Sequence, residues 1–251
     1  MTDATTQDAF LNGKVVVTQP RHGFRSGIDA VLLAASVPAK TGDSVLELGC
    51  GVGVAALCLH ARVPGLVLTG VEVQDDYAAL ARQNVTSNQA AMTVETADLR
   101  NLPVHLRQQQ FHHVMMNPPY YDRASGSAAN DAGRDIALGG GTPLADWIDI
   151  GVKRLAPKGT FTLIQHITRL PEVLAGLQGR LGSISLQPLS GRRDQAPNLF
   201  LIQAKHSGRA PFQMRPVVPL HEGDAHQGDF ESYTPAIREI LRYGAEFPMS
   251  D

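Results

Sequence analysis

Cysteine is scarce in this chain of 251 residues, which contains only Cys50 and Cys58. Two cysteines in one short segment do not form a disulfide framework, and their low number fits a reducing compartment. His112 and His113 have no cysteine or carboxylate at the spacing that metal ligands use, so we predict no metal site.

Long apolar runs and an excess of positive charge are also missing. No apolar run approaches the roughly 18 residues of a membrane-spanning helix. The first residues, "MTDATTQDAF", lack the basic and apolar regions of a signal peptide. The net charge of −2 weighs against a large nucleic-acid interface but permits a local one. We therefore expect a cytoplasmic protein without a membrane partner, and its oligomeric state stays open.

Hydrophobic residues make up 43% of the chain, enough for the core of one α/β domain. Short apolar strands alternate with helical segments, which indicates a mostly parallel sheet covered by helices on both faces. We predict a single domain with a seven-stranded Rossmann-like core over residues 41–206. Residues 1–40 form an extension with a helix capped by Asp29, and residues 207–251 form a loop and a terminal helix.

Three further segments carry structural expectations. The segment "LADWIDIGVKRLAPKG" predicts a helix that Pro157 and Gly159 end. The segment "FQMRPVVPL" has the composition of an edge strand. The long small-residue segment "YYDRASGSAANDAGRDIALGGGTP" is typical of a functional or disordered loop.

A glycine-rich turn, "ELGCGVG", follows the first core strand and brings Gly49, Gly51 and Gly53 before a helix. Glycines allow a sharp turn and let a ligand approach the backbone closely, and the helix start offers unpaired N–H groups. Acidic residues, Glu72 and Asp98, end the next two strands, and a carboxylate at the position of Glu72 can accept from both hydroxyls of a ribose. Together these features outline a nucleoside pocket along the carboxyl edge of a parallel sheet.

The motif "NPPY", Asn117 to Tyr120, ends the fourth core strand and so lies on the same edge. Two consecutive prolines fix φ, remove two N–H donors and favour extended backbone before them. The motif therefore predicts a stiff turn that faces the nucleoside pocket.

These features resemble the S-adenosylmethionine-dependent methyltransferases of the Rossmann-like class I. The motif narrows the resemblance to amino methyltransferases with an (Asn/Asp)-Pro-Pro-(Tyr/Phe) sequence. The segments "QPRHGFRSGIDAVLLAA", "NPPYYD" and "YTPAIREIL" are similar to bacterial tRNA adenine-N6 methyltransferases that act on adenine-37 of a valine tRNA. The stretch "GFRSGID" departs from that family, which more often has a Tyr and a Phe or Thr nearby.

The resemblance implies S-adenosylmethionine as cofactor, tRNA as partner and methyl transfer to an exocyclic amine, N6 of an adenine. It gives Asn117 and Pro118 the role of oxygen acceptors, Pro119 that of a stiffener, and Tyr120 that of a stacking wall for the base. The predicted cofactor contacts are Phe24, Glu47, Gly49, Cys50, Gly51, Gly53, Glu72, Val73, Asp98, Leu99 and Asn117. The predicted substrate contacts are Tyr120, Tyr121, Arg25, Arg192 and Arg193.

Other functions fit the same motif. A protein-glutamine N5 methyltransferase acts on a side-chain amide, which is also a planar amine, although such families usually carry an N-terminal helical domain. A rRNA guanine-N2 methyltransferase is a further alternative. A nucleoside-binding module that has lost catalysis and binds RNA is the alternative outside the enzymes, and the intact "NPPY" weighs against it.

Overall fold

The computed structural model describes residues 4–120, 142–223 and 231–249. The strands are β1 (Thr5–Phe10), β2 (Val15–Pro20), β3 (Ser44–Leu48), β4 (Val67–Glu72), β5 (Met92–Thr96), β6 (Phe111–Met116), β7 (Leu155–His166), β8 (Leu181–Ser190), β9 (Leu199–His206), β10 (Gln213–Met214) and β11 (Val218–Pro219). The helices are α1 (Ile28–Ser36), α2 (Val54–Arg62), α3 (Asp75–Ser87), α4 (Val104–Gln108), α5 (Leu144–Lys153), α6 (Leu170–Leu177) and α7 (Pro235–Arg238).

The central sheet has the strand order β10-β8-β9-β7-β6-β3-β4-β5, and β11 also pairs with β8. Strands β3 to β7 are parallel to one another, and β9 runs antiparallel between β7 and β8. The strand order reverses at β3, whose neighbours are β4 and β6. Parallel α/β sheets bind ligands at such a switch point, outside the carboxyl ends of the strands.

The mostly parallel sheet predicted from the sequence is confirmed, with the seven predicted core strands present as β3 to β9. The segment "FQMRPVVPL" does extend the edge, as the two-residue strands β10 and β11. The helix predicted to continue to Gly159 instead ends at Lys153. The reason is pairing with β6: the Phe111 N–H donates to the Arg154 carbonyl at 2.8 Å, and β7 begins at Leu155.

Two clusters of buried side chains cover the two faces of the sheet. One lies under α1 and α2 and includes Leu32 and Leu57. The other lies under α5 and α6 and includes Ile148 and Phe161. Full burial of each such side chain contributes about 1.5–3 kcal/mol, so helix packing on both faces holds the carboxyl edge in place.

The prediction that Asp29 caps α1 is wrong. The residue before the helix is Gly27, which has no side chain with which to cap the helix start. Asp29 lies inside the first turn, where its carboxylate accepts a 2.5 Å hydrogen bond from the Tyr120 hydroxyl. The Asp29 carboxylate therefore binds the "NPPY" turn through Tyr120 and does not act as the helix cap.

Strands β1 and β2 form an antiparallel hairpin that the sequence analysis did not predict. Two asparagines hold this hairpin through its backbone, Asn84 within α3 and Asn88 directly after it. The Asn84 side chain accepts from the Thr18 N–H at 2.7 Å and donates to the carbonyls of Thr18 and Val52, both at 3.0 Å. Asn88 makes the same pair of bonds with Val16, at 3.1 and 2.8 Å. These amides give β2 the partners that a neighbouring strand would give.

No helix within residues 4–120, 142–223 and 231–249 combines the length and apolar character needed to cross a lipid bilayer.

Substituting Asn84 with Ala should lower the free energy of unfolding by about 2–3 kcal/mol, because buried backbone groups of β2 and the glycine turn lose their partner. Urea denaturation measures this change. The matched control is Gln83→Ala, on the exposed side of the same helix, which should change stability by no more than about 0.5 kcal/mol. Equal stability of the two variants would refute the role given to Asn84.

Candidate active site

A cavity of about 360 Å³ lies at the carboxyl ends of β3, β4 and β6, at the switch point of the sheet. Most of the predicted cofactor contacts lie on its wall, namely Phe24, Gly49, Gly51, Glu72, Val73, Asp98, Leu99 and Asn117. The "NPPY" turn forms another part of the wall. The structure thus brings the three sequence features of the predicted pocket together around one space.

The glycine turn has a conformation that favours glycine. Gly49 has a φ of 67°, and a Cβ at this position would overlap the Trp147 indole. The Gly51 N–H donates to a Glu72 carboxylate oxygen at 3.0 Å. The turn is therefore held from one side by an aromatic ring and from the other by the acid that ends β4.

Glu72 is buried at the end of β4, and its second carboxylate oxygen accepts from the Gln74 N–H at 2.9 Å. Burial raises the pKa of Glu72, while these backbone donors act in the opposite direction. Backbone donors thus hold the Glu72 carboxyl group at the cavity wall. The predicted contact with the hydroxyls of a ribose is compatible with this geometry.

Asp98 lies just after β5 and caps the short turn Leu99–Asn101. Its carboxylate accepts from the Arg100 N–H and from the Arg100 guanidinium, each at 2.8 Å. The hydrogen bond with the Arg100 side chain lowers the pKa of Asp98. Asp98 therefore presents a charged carboxylate to the cavity and shapes the turn that follows β5.

Glu47, Cys50 and Gly53 do not line the cavity and shape the glycine turn from behind. A Glu47 carboxylate oxygen accepts from the Ala56 N–H at the start of α2, at 3.1 Å. Burial raises the pKa of Glu47 to about 8 and raises that of the Cys50 thiol. Gly53 is the residue before α2 and has a φ of 91°. Direct contact of these three residues with a cofactor stays a prediction.

Three polar groups of the "NPPY" turn are hydrogen-bonded to the rest of the protein. The Gln165 side-chain amide donates to the carbonyl oxygens of Pro118 and Pro119, at 3.2 and 3.4 Å. The Tyr120 hydroxyl donates to the carboxylate of Asp29, whose pKa is raised by burial.

The Asn117 side-chain oxygen of the same turn is buried and has no hydrogen-bond partner among the residues that the structure describes. A buried acceptor left unpaired costs about 1–3 kcal/mol, and native structures contain few of them. Since Asn117 also lies on the cavity wall, its oxygen is the natural acceptor for a donor group of a ligand.

The segment before α1 reaches the cavity because α3 holds it. The Tyr77 hydroxyl accepts from the Phe24 N–H at 2.9 Å and donates to the Phe24 carbonyl at 3.1 Å. The next residue, Arg25, also lines the cavity, but its guanidinium donates to Asp8 at 2.5 Å and to Thr6 at 2.7 Å in the hairpin. In this structure Arg25 therefore joins the cavity wall to β1.

The remaining predicted substrate contacts either lie away from the cavity or are not among the residues that the structure describes. Arg192 and Arg193 follow β8 at the same edge of the sheet as the "NPPY" turn. Three strand spacings separate β8 from β6, so at about 4.8 Å each they are roughly 15 Å from the turn. The Arg192 guanidinium donates to the carbonyls of Glu222 and Gly223. Tyr121 falls outside the described residues, and these substrate roles stay predictions.

Sequence reasoning missed Tyr77, Trp147 and Gln165. Trp147 is the one tryptophan of the chain, and a bulky ring on a helix usually indicates core packing alone. Gln165 did carry a signal, since an uncharged polar residue at the carboxyl end of the apolar strand "TFTLIQH" suggests a specific hydrogen bond. Among the residues that the structure describes, no group of His, Cys, Asp or Glu side chains is arranged to hold a metal ion.

Comparison with known proteins agrees with this geometry. Residues 25–137 match the family model of the methyltransferase small domain. The chain is 31% identical over 153 residues to the tRNA1(Val) (adenine(37)-N6)-methyltransferase of Yersinia enterocolitica, covering 59% of each chain. It is 28% identical over 198 residues to the Cronobacter sakazakii protein of the same name, covering 76% of this chain and 77% of that protein. The aligned part thus spans less than two thirds of the Yersinia relative.

A solved structure of a predicted O-methyltransferase from Agrobacterium tumefaciens superposes with a TM-score of 0.70 at 23% identity, covering 88% of this chain and 98% of that one. The 16S rRNA N2 G1207 methyltransferase of Thermus thermophilus superposes with a TM-score of 0.52 at 18% identity, over 80% of this chain and 50% of that one. The resemblance predicted from the sequence is confirmed, and the chain has the fold of the class I S-adenosylmethionine-dependent methyltransferases.

The buried Glu47 carboxyl should make stability depend on pH. Its pKa of about 8 in the folded chain lies above the usual value of 4.5, so the folded state holds a proton that the unfolded state releases. The stabilisation by this proton is complete below the unfolded pKa and is lost as the pH rises through the folded one.

Replacing Glu47 with Gln removes this titration while keeping an oxygen for the Ala56 N–H. The variant should gain stability relative to the wild type as the pH rises from about 5 to about 8, by roughly 2–4 kcal/mol. Urea unfolding at both pH values measures the difference. A stability difference that does not change with pH would contradict the protonated state of Glu47.

Proposed function

We propose that this chain transfers the methyl group of S-adenosylmethionine to N6 of an adenine in tRNA. The observation that carries the proposal is the buried, unpaired Asn117 side-chain oxygen on the wall of the switch-point cavity. A base amine brings the N–H donors that this oxygen lacks. The named relatives support adenine N6 as the amine and tRNA as its carrier.

The cavity wall fits S-adenosylmethionine. Gly49 and Gly51 leave backbone open to close approach, and the Glu72 carboxylate stands where a nucleoside sugar is bound in folds of this kind. Phe24 and Leu99 add apolar surface to the same wall. When bound, S-adenosylmethionine would supply a methyl group activated by its sulfonium: the C–S bond would break as the N–C bond forms, S-adenosylhomocysteine would leave, and the extra proton on nitrogen would pass to solvent.

The chain's own contribution is to prepare the amine. An exocyclic amine is a poor nucleophile because its lone pair is delocalised into the ring. Acceptors for its two N–H bonds, the Asn117 side chain and the Pro118 carbonyl, favour a pyramidal nitrogen whose lone pair points outward. Gln165 holds the Pro118 carbonyl before the substrate arrives, so the electrostatic stabilisation from this acceptor needs no reorganisation. Tyr120 offers a ring for stacking, which is worth about 1–3 kcal/mol per base.

An adenine in an RNA loop suits such a site. The target base must leave its stack in the RNA to enter the pocket, and this costs the least free energy for bases that are not paired. Loops are also where RNA-binding proteins recognise splayed bases by stacking and hydrogen bonding. Arg192 and Arg193, on the same rim as the turn, are candidates for phosphate contacts.

The proposal predicts the fate of labelled methyl groups. The wild-type chain is incubated with labelled S-adenosylmethionine and with total RNA and total protein from a strain that lacks the gene. Label should appear in tRNA as N6-methyladenosine. Label confined to protein would favour glutamine N5 methylation, label in N2-methylguanosine of rRNA would favour a guanine enzyme, and either result would overturn the proposal.

The Asn117→Ala variant tests the acceptor in the same assay. Loss of one preorganised acceptor should lower the turnover rate by about 100- to 1,000-fold. Calorimetry should show nearly unchanged binding of S-adenosylmethionine, because the glycine turn and Glu72 remain. The matched control, Asn198→Ala, alters an exposed asparagine off the cavity wall and should keep wild-type turnover. Full turnover by Asn117→Ala would refute the site.

A further inference from the structure

Gln165 lies near the carboxyl end of β7, and its side chain is fully buried. Its amide nitrogen reaches two successive backbone carbonyls, those of Pro118 and Pro119, at 3.2 and 3.4 Å. Both carbonyls belong to the "NPPY" turn on the cavity wall. Gln165 thus contacts the turn from the core, on the side away from any ligand.

The turn needs a donor from outside itself. Prolines have no backbone N–H, so neither Pro118 nor Pro119 can donate in a backbone turn. Strand pairing between β6 and β7 extends no further than Met116 and Leu163. The Gln165 side chain therefore donates hydrogen bonds to the chain beyond the last residue pair of β6 and β7.

The orientation of the Gln165 amide is itself determined. Its side-chain oxygen accepts from the His166 N–H at 2.8 Å. A backbone N–H can only donate, so the oxygen must face His166 and the nitrogen must face the prolyl carbonyls. The amide cannot be reversed without placing oxygen against oxygen on one side and nitrogen against N–H on the other.

A carbonyl oxygen has two lone pairs, and Gln165 uses one on Pro118. The other is left for an N–H of the substrate amine, beside the acceptor on Asn117. Rotation of the Pro118 peptide would swing this lone pair away from the cavity, and a displacement of about 1 Å at a reacting centre can cost about 100-fold in rate.

We propose that Gln165 is a positioning residue for methyl transfer, which sets the direction of the Pro118 carbonyl so that it accepts the substrate amine together with Asn117. This inference rests on the proposed function. It adds that a side chain without substrate contact controls the rate of the chemical step and leaves the binding of S-adenosylmethionine untouched.

The chain offers a matched control for this role. Gln187 on β8 is also buried, and its amide also donates to two prolyl carbonyls, those of Pro188 at 3.1 Å and Pro216 at 2.6 Å. Gln187 lies two strands from β7 and is not on the cavity wall. The variants Gln165→Leu and Gln187→Leu therefore lose the same kind of bond, at the turn and away from it.

Gln165→Leu should lower kcat on tRNA by about 10- to 100-fold, with the Kd for S-adenosylmethionine within about threefold of the wild type. Gln187→Leu should lower the melting temperature by about as much as Gln165→Leu does, and it should keep the wild-type kcat. The inference is refuted if Gln165→Leu keeps kcat within about twofold of the wild type. It is also refuted if Gln187→Leu lowers kcat as much as Gln165→Leu does, or if Gln165→Leu weakens S-adenosylmethionine binding by the same factor as it lowers kcat.

The Gln165→Glu variant adds a pH readout. An ionised carboxylate cannot donate and repels the two carbonyls, whereas the protonated acid has one O–H to donate. The ratio of its kcat to that of the wild type should rise about tenfold as the pH falls from about 8.5 to about 6, since burial favours the neutral acid. A ratio independent of pH would overturn the inference. A wild-type chain that methylates nothing would refute the proposed function and this inference together.

Discussion

The turn that follows β6 lacks the backbone N–H donors of its two prolines, and the rest of the site depends on the side chains that hold the turn instead. Its two prolines contribute carbonyls without N–H donors, so Gln165 supplies a donor from β7. Its tyrosine is held by Asp29 from α1. Among the described residues, the Asn117 side-chain oxygen of the motif is buried and without a hydrogen-bond partner, and so can accept from a ligand. The bonds from Gln165 and Asp29 thus hold the turn that carries the Asn117 acceptor.

The cofactor side of the cavity is built from distant parts of the chain in the same way. Helix α3 follows the acid that ends β4, and two of its side chains and that of Asn88, directly after it, hold the N-terminal residues. Asn84 and Asn88 pair with β2, and the Tyr77 hydroxyl holds Phe24. Asn84 also bonds the Val52 carbonyl within the glycine turn. The hairpin, the turn and the cavity wall are therefore connected through one face of one helix.

Sequence patterns predicted the parts of the site that depend on local order along the chain. Strand–turn–helix spacing placed Gly49 and Gly51, and strand ends placed Glu72 and Asn117, because parallel strands bring their carboxyl ends to one edge. The bonds from Gln165 to Pro119 and from Tyr120 to Asp29 join residues 46 and 91 positions apart, and no periodicity encodes them. Asp29 was predicted to be a cap because its position near a helix start is the usual local signal, which the distant Tyr120 overrides.

The most direct test is a crystal structure of the chain with S-adenosylhomocysteine and an RNA anticodon stem–loop that contains the unmodified adenine. The adenine N6 nitrogen should lie within about 2.7–3.2 Å of both the Asn117 side-chain oxygen and the Pro118 carbonyl oxygen, with the Gln165 bonds kept. A base amine bound elsewhere, or an Asn117 oxygen that accepts from a protein donor in the complex, would contradict the central claim.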